Sequence, residues 1–203
     1  MKVSSRPLKL MQQPNDDSSK TATPKKYILL DTCILRYLSS ENNNDLAQKV
    51  ANYLIELRDR GFTLAISDIS IYELLEGVSQ KREAKLLEVL NIFDNFLVER
   101  RDLIAGAELH DLYRIQSKTN KSGSPNEVKP GNIETVDKII AATSIFAVAP
   151  ILTADGNDFP RPFFFEHEVR KIEFLDKGKL KVLVLYLLNP EYDVITKAAI
   201  ARN

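Results

Sequence analysis

Apolar and polar positions along the chain fall into short blocks that switch between two periods. Tyr27-Ile28-Leu29-Leu30-Asp31 is a compact apolar run bounded by lysines and a polar pair, which predicts a buried strand. Residues 33–39 read as helical and Ser39–Asn44 as a loop. Asp45 opens a helix that carries Leu46, Val50, Tyr53, Leu54 and Leu57 on one stripe. Arg58 and Arg60 suit its C-terminal dipole, and Gly61 suits the position just past its end. Phe62–Ser67 predicts the next strand, followed by a helix from about Asp68 to Glu76 that Gly77 stops. Residues 82–95 form a further amphipathic helix through Leu86, Leu87, Leu90, Ile92 and Phe93, and Phe96–Glu99 reads as a short strand. A helix over 102–117 leads into the loop Ser117–Asn132, marked by Gly123, Pro125, Pro130 and Gly131. A helix from about Ile133 to Phe146 then precedes the strand Pro150–Thr153. Strands alternating with helices predict a parallel α/β sheet covered on both faces.

The tail breaks this alternation. Val169–Leu175 and Lys179–Leu188 flank Asp176-Lys177-Gly178, and turn residues between two β-rich runs predict a hairpin. Pro190 ends its second strand, and 191–203 reads as a short helix or a frayed end. Lys181–Leu188 is almost uniformly apolar, a hazard on an open sheet edge. It is expected to be covered either by the segment 1–26 or by a second subunit, which makes a homodimer one expectation. Residues 1–26 hold three prolines, many polar residues and no periodicity, and read as a flexible leader. Residues 27–203 are read as a single domain, with 160–203 as its C-terminal extension.

Composition narrows the chemistry. The chain has 203 residues, 44% hydrophobic and 28% charged, as a soluble globular domain requires. It contains no run of 18 apolar residues, and its start lacks the apolar core of a signal peptide, so the expectation is a cytoplasmic protein with no membrane association. Cys33 is the only cysteine, which excludes a disulfide framework and a cysteine-rich zinc site. His110 and His167, the two histidines, lie far apart in sequence, which excludes the HExxH pattern. Six Lys or Arg and two Asp fall within 1–26, so the remaining chain holds 22 basic and 26 acidic residues. An acidic body is not the usual footprint of a duplex-binding module.

Ligands bind open parallel sheets beyond the carboxyl ends of the strands. Three predicted strands run there into Asp31, into Ser67-Asp68, and into Thr153-Ala154-Asp155. Each acid has a structural explanation of its own. Asp31 could cap the next helix, Ser70-Ile71-Tyr72-Glu73 matches a capping box, Asp137 suits a first helical turn, and Asp155 precedes the turn residues Gly156-Asn157. Taken together they read differently. Asp137 stands in a mostly apolar surround with Ala141 and Ser144 on its helical face, and no lysine or arginine occupies the corresponding strand ends. A divalent cation is the natural compensation for such carboxylates.

The ordered set Ile28-Leu29-Leu30-Asp31-Thr32, Ile66-Ser67-x-x-Ser70-x-x-Glu73-Leu74-x-x-Gly77, Asp137-x-x-Ile140-Ala141-Ala142 and Leu152-Thr153-x-Asp155-x-x-Asp158-Phe159 resembles a PIN-domain nuclease. It is most similar to the VapC-type branch, over about residues 27–160. The resemblance implies a three-layer α/β/α fold with a central, mainly parallel sheet; here the predicted β-hairpin would be a C-terminal extension of it. It implies an endonuclease that uses Mg²⁺ or Mn²⁺ to hydrolyse phosphodiester bonds, usually in RNA. For a toxin of that branch it implies a small separately encoded antitoxin as partner. By matching motifs, the catalytic and metal-binding quartet is Asp31, Glu73, Asp137 and Asp155. Asp158, Thr32, Ser67 and Thr153 match supporting positions near the site. The 26-residue leader, the long Ser117–Asn132 loop and the region from Pro160 depart from the family pattern.

Such a site needs few protein ligands, because Mg²⁺ takes oxygen donors at about 2.0–2.1 Å and keeps several waters. One or two ions would serve, Asp31 and Asp155 being expected to ligate most directly. Lys118, Lys121 and Lys129, in or beside the loop before Asp137, are candidate phosphate contacts or a solvated loop. Arg36 and Arg161 would touch substrate or pair with an acid. Two other readings stand beside this one: a non-catalytic PIN-like scaffold or binding module, and a nuclease acting on structured DNA. All four carboxylates are retained, which favours an enzyme. A haloacid-dehalogenase-type phosphotransferase is disfavoured, because Cys33 stands where its second Asp would be.

Overall fold

The computed structural model describes residues 24–39, 43–76, 78, 80–119 and 133–201. The leader up to residue 23, Gly77, Lys121, Lys129 and the loop over 120–132 lie outside them. Among the described residues, six strands form one sheet: β1 (Lys26–Leu30), β2 (Phe62–Ser67), β3 (Asp94–Phe96), β4 (Ile151–Thr153), β5 (Phe164–Asp176) and β6 (Lys179–Pro190). Seven helices accompany them there: α1 (Thr32–Leu38), α2 (Asn44–Asp59), α3 (Asp68–Leu75), α4 (Gln80–Leu90), α5 (Arg100–Thr119), α6 (Thr135–Ala147) and α7 (Tyr192–Ala201).

The strand order is β3-β2-β1-β4-β6-β5. β3, β2, β1 and β4 are parallel, whereas β6 runs antiparallel to both β4 and β5. Side chains alternate across a strand, so the sheet sorts its own residues into two cores. Ile28, Leu30, Leu64, Ile66 and Leu152 pack with Val50, Tyr53, Leu54 and Leu57 of α2. Leu29 and Ile151 point the other way, onto Leu109, Leu112 and Tyr113 of α5 and Ile140 and Ala141 of α6. The predicted three-layer α/β/α arrangement with a mainly parallel sheet is the architecture observed. α2 begins with Asn43, whose side chain accepts a hydrogen bond from the Leu46 amide at 3.0 Å, and it is followed by Gly61 at φ +90°. Few residues other than glycine adopt that conformation without strain.

Several boundaries depart from the sequence expectation, among them the start of β5, at Phe164 and not Val169. α4 stops at Leu90, so Ile92 and Phe93 fall in a turn and Ile92 is 70% exposed. β3 covers Asp94–Phe96, not 96–99; the edge strand has only three partners on β2, and Leu97 lies beyond them in solvent. α5 continues through Thr119, so the predicted loop from Ser117 starts later.

The hairpin is part of the sheet. Lys177 and Gly178 at its tip both have positive φ, the geometry of a two-residue turn that matches strand twist. β5 pairs with β6 from Phe164↔Pro190 to Asp176↔Lys179, and β4 takes Tyr186, Leu187 and Leu188 on the other side. Ile172, Leu185 and Leu187 enter the same core as α2. α2 also grips the hairpin through polar contacts: Tyr53 Oη donates to Glu168 Oε1 at 3.0 Å, Arg60 reaches both Glu168 oxygens, and Arg170 pairs with Glu56 at 2.9 Å. β6 is thus paired along its length by β5 but flanked by β4 only at Tyr186–Leu188, and Leu180 and Val182 stay 66% and 53% exposed, so cover from within this chain is partial. Among the described residues no helix is long and apolar enough to cross a membrane.

Candidate active site

Asp31, Ser67 and Thr153 each follow the last inward residue of a parallel strand. By alternation they share the sheet face of Leu29, Ala65 and Ile151, the face on which α6 lies. The β1–β4 ladder carries on to Asp31, whose amide donates to Leu152 O at 3.0 Å. Asp31 and Thr153 are thereby brought side by side. Asp31 occupies the N-cap position of α1, yet its carboxylate makes no capping bond. Its Oδ2 instead accepts Thr153 Oγ1 at 2.6 Å and Cys33 Sγ at 3.0 Å. Cys33 Sγ in turn accepts the Ala154 amide at 3.2 Å, which ties the exit of β4 to the start of α1.

Glu73 loses its structural explanation. α3 starts at Asp68 with Ser67 as N-cap, so Ser70 is inside the first turn and no capping box forms. The Glu73 carboxylate accepts Arg36 Nη2 at 2.6 Å. Asp137 sits in the first turn of α6 and is half-buried. Asp155 is exposed; its Oδ1 accepts the Asn157 amide at 3.0 Å and its own amide donates to Thr153 Oγ1 at 2.9 Å. The turn reading of Asp155 is thus also realised. Asp158, assigned from sequence to a supporting place, is the more buried of the two.

The charges of these acids act on one another. Asp137 is pushed up to about 7, first by burial and then by Asp158, Asp31, Glu134 and Glu73. Asp158 is pushed up to about 6 by burial, Asp155, Asp31, Glu134 and Glu73. Burial also raises Asp31, with Glu73 adding to it, while hydrogen bonds from Thr153, Cys33 and the Thr32 backbone oppose the rise. Burial beside Asp31 raises Cys33 well above the usual thiol range, which keeps it protonated and able to donate. A set of carboxylates with mutually raised pKa values marks a place where positive charge is missing.

Several hydroxyls at the same edge are buried without a hydrogen-bond partner: Thr32 Oγ1, Ser67 Oγ and Ser70 Oγ, with Tyr113 Oη on α5, whose pKa is raised by burial and by Asp137. Orphaned buried hydroxyls beside carboxylates suit a hard cation and the waters it retains. Among the described residues, no three His, Cys, Asp or Glu side chains are drawn together into a ready-made cage. The donor set is open and all-oxygen, and it fits Mg²⁺ or Mn²⁺ better than a closed structural site.

Of the candidate substrate contacts, Arg36 is engaged with Glu73, and Arg161 pairs with Glu166 at 2.9 Å. Lys118 lies on α5. Motif reading left Cys33 out of the site and quoted Ser70 without giving it a role. Cys33 stands two residues after Asp31, within the first turn of α1, and that spacing was the available signal. Ser70 was hidden inside an apparent capping box.

The PIN domain family profile matches residues 28–162, which bracket Asp31, Glu73, Asp137, Asp155 and Asp158. The chain belongs to the PIN domain family, and membership supports a nuclease. Solved structures with a similar fold include a toxin–antitoxin complex from Klebsiella pneumoniae, 19% identical, spanning 66% of this chain and 92% of that one at a TM-score of 0.47. Another is VapBC2 from Rickettsia felis bound to a DNA fragment from its promoter, 20% identical, spanning 64% of this chain and 88% of that one at a TM-score of 0.45. No curated protein matches the chain.

Proposed function

We propose that the chain is a Mg²⁺- or Mn²⁺-dependent endoribonuclease that hydrolyses phosphodiester bonds, working as a VapC-type toxin in the cytoplasm with a small antitoxin as partner. What supports the nuclease reading is that burial and neighbouring carboxylates, Glu73 among them, raise Asp31, Asp137 and Asp158 together. RNA as substrate and an antitoxin as partner rest on the resemblance of the motif set to the VapC-type branch. We take residues 27–203 as one domain, with the region from 160 as an extension built into its sheet.

Asp31, Glu73, Asp137 and Asp155 would hold one or two ions, with Asp158 beside them. A bound divalent ion supplies a water of lowered pKa and a Lewis acid for the phosphate. Thr153 and Cys33 hold the Asp31 carboxylate in one orientation by two donors on one oxygen. Thr32, Ser67 and Ser70 offer hydroxyls for the waters of the site.

The test is incubation of the purified chain with a mixed RNA pool and with DNA, in EDTA, Mg²⁺ and Mn²⁺ arms, followed by mapping of the ends. Internal cuts in RNA that appear with either metal and vanish with EDTA are expected. Binding without cleavage in every arm would turn the reading to a scaffold, and cleavage confined to DNA would reassign the substrate.

A further inference from the structure

The five acids of the candidate site have one cationic partner among the described residues. Arg36, in the last turn of α1, donates from Nη2 to Glu73 Oε1 on α3 at 2.6 Å. No other ion pair described reaches Asp31, Glu73, Asp137, Asp155 or Asp158. The two side chains differ in setting: that of Arg36 is 57% exposed and that of Glu73 only 18%. The guanidinium thus lies on the solvent side of the pair and the carboxylate on the cluster side. Glu73 is electrostatically part of the cluster, because its charge raises Asp31, Asp137 and Asp158.

We infer that Arg36 is an internal counter-ion that competes with a divalent cation for Glu73, and so sets the ion concentration at which the site loads. The inference rests on the reading of the cluster as a cation site. Two physical effects act in the same direction. A carboxylate oxygen held by a guanidinium must be released or shared before it ligates an ion. A fixed positive charge at the rim also repels a divalent ion through space. Both effects are moderated by the exposure of Arg36, since partly solvated pairs are weak. Their loss should tighten divalent binding by about three- to tenfold. A purely orienting role for Arg36 predicts the opposite sign, because Glu73 would then lose its support and bind the ion less well.

The experiment is a Mn²⁺ titration of the full chain at constant ionic strength, read by calorimetry and by thermal shift, so that no activity is needed. Arg36→Gln removes the charge, Arg36→Lys keeps it, and Asp31→Asn is the control for the site. The expected result is an Arg36→Gln midpoint at about three- to tenfold lower Mn²⁺, with Arg36→Lys within about twofold of wild type and the gap narrowing in high salt. An Arg36→Gln midpoint equal to or higher than wild type, while Asp31→Asn abolishes the response, overturns the competition alone. A wild-type chain with no response to Mn²⁺ overturns the competition together with the cation-site reading beneath it.

Discussion

Thr153 Oγ1 donates to Asp31 Oδ2 at 2.6 Å, joining the ends of two adjacent parallel strands through side chains just past their last shared ladder bond. The contact is buried, and it uses the one polar side-chain atom of a residue that is otherwise part of the sheet interior. Thr153→Val keeps the shape and removes the donor. Cleavage should fall by about 10–100-fold, as for other partners that orient a ligand. Stability at neutral pH should drop by about 1–3 kcal/mol, the cost of a buried acceptor losing its donor. Thr153→Ser should retain most of both. Parallel cleavage assays and urea melts decide; a fully active Thr153→Val would remove Thr153 from the site.

Glu73→Gln separates a helix-capping role from a site role. The glutamate lies too far along α3 to close a capping box, so the helix has no need of it. The melting temperature should stay within a few degrees of wild type, as only a partly exposed ion pair is lost. Cleavage should fall by at least about tenfold, because a neutral amide is a poor ligand for a hard cation.

The acids also dictate how stability responds to pH when no divalent ion is bound. Asp137 and Asp158 titrate near 7 and 6 in the fold but near the ordinary carboxylate value when unfolded. Between about pH 4 and about pH 7 the folded state therefore binds more protons, and stability falls as pH rises through that window. Thermal melts in EDTA should show a higher melting temperature near pH 5 than near pH 8. Added Mn²⁺, which favours the ionised carboxylates, should flatten or reverse the trend. A melting temperature that rises with pH in EDTA would contradict the coupled cluster.

Leu185 tests whether the hairpin is structural. It is fully buried on β6, in the same core as Leu57 and Val50 of α2. Leu185→Ala should cost about 2–5 kcal/mol in chemical denaturation, the range for a large-to-small change in a packed interior. A cost below about 1 kcal/mol would make the hairpin a loosely attached appendage.

Much of this molecule could be read from its pattern, and the misses have physical causes. The strands Lys26–Leu30 and Phe62–Ser67 were legible because strands buried on both faces read as continuous apolar runs. α2 was legible because its stripe, its terminal arginines and its closing glycine agree, whereas its cap Asn43 was read as loop. Ile92 and Leu97 misled because an exposed apolar residue looks the same in a sequence as a buried one, and both lie in solvent. Hairpin formation is a local event and was visible; the docking of β6 onto β4 is a pairing between distant segments that periodicity cannot encode. The acids were singled out by their places at strand ends and on neighbouring helices. Their ranking was not, because the burial of Asp158 and the exposed turn at Asp155 depend on how the chain folds back after β4.

The family match ends at residue 162, but the sheet does not. A polypeptide stopped there would keep every acid of the site and lose both antiparallel strands. β4, three residues long and carrying Thr153, would become a raw margin with its backbone groups unpaired along one side. The apolar flank of α2 would lose Ile172, Leu185 and Leu187 as its cover. In this chain the sheet runs further than the family match, and a nuclease cut at residue 162 is expected to aggregate through that bare margin.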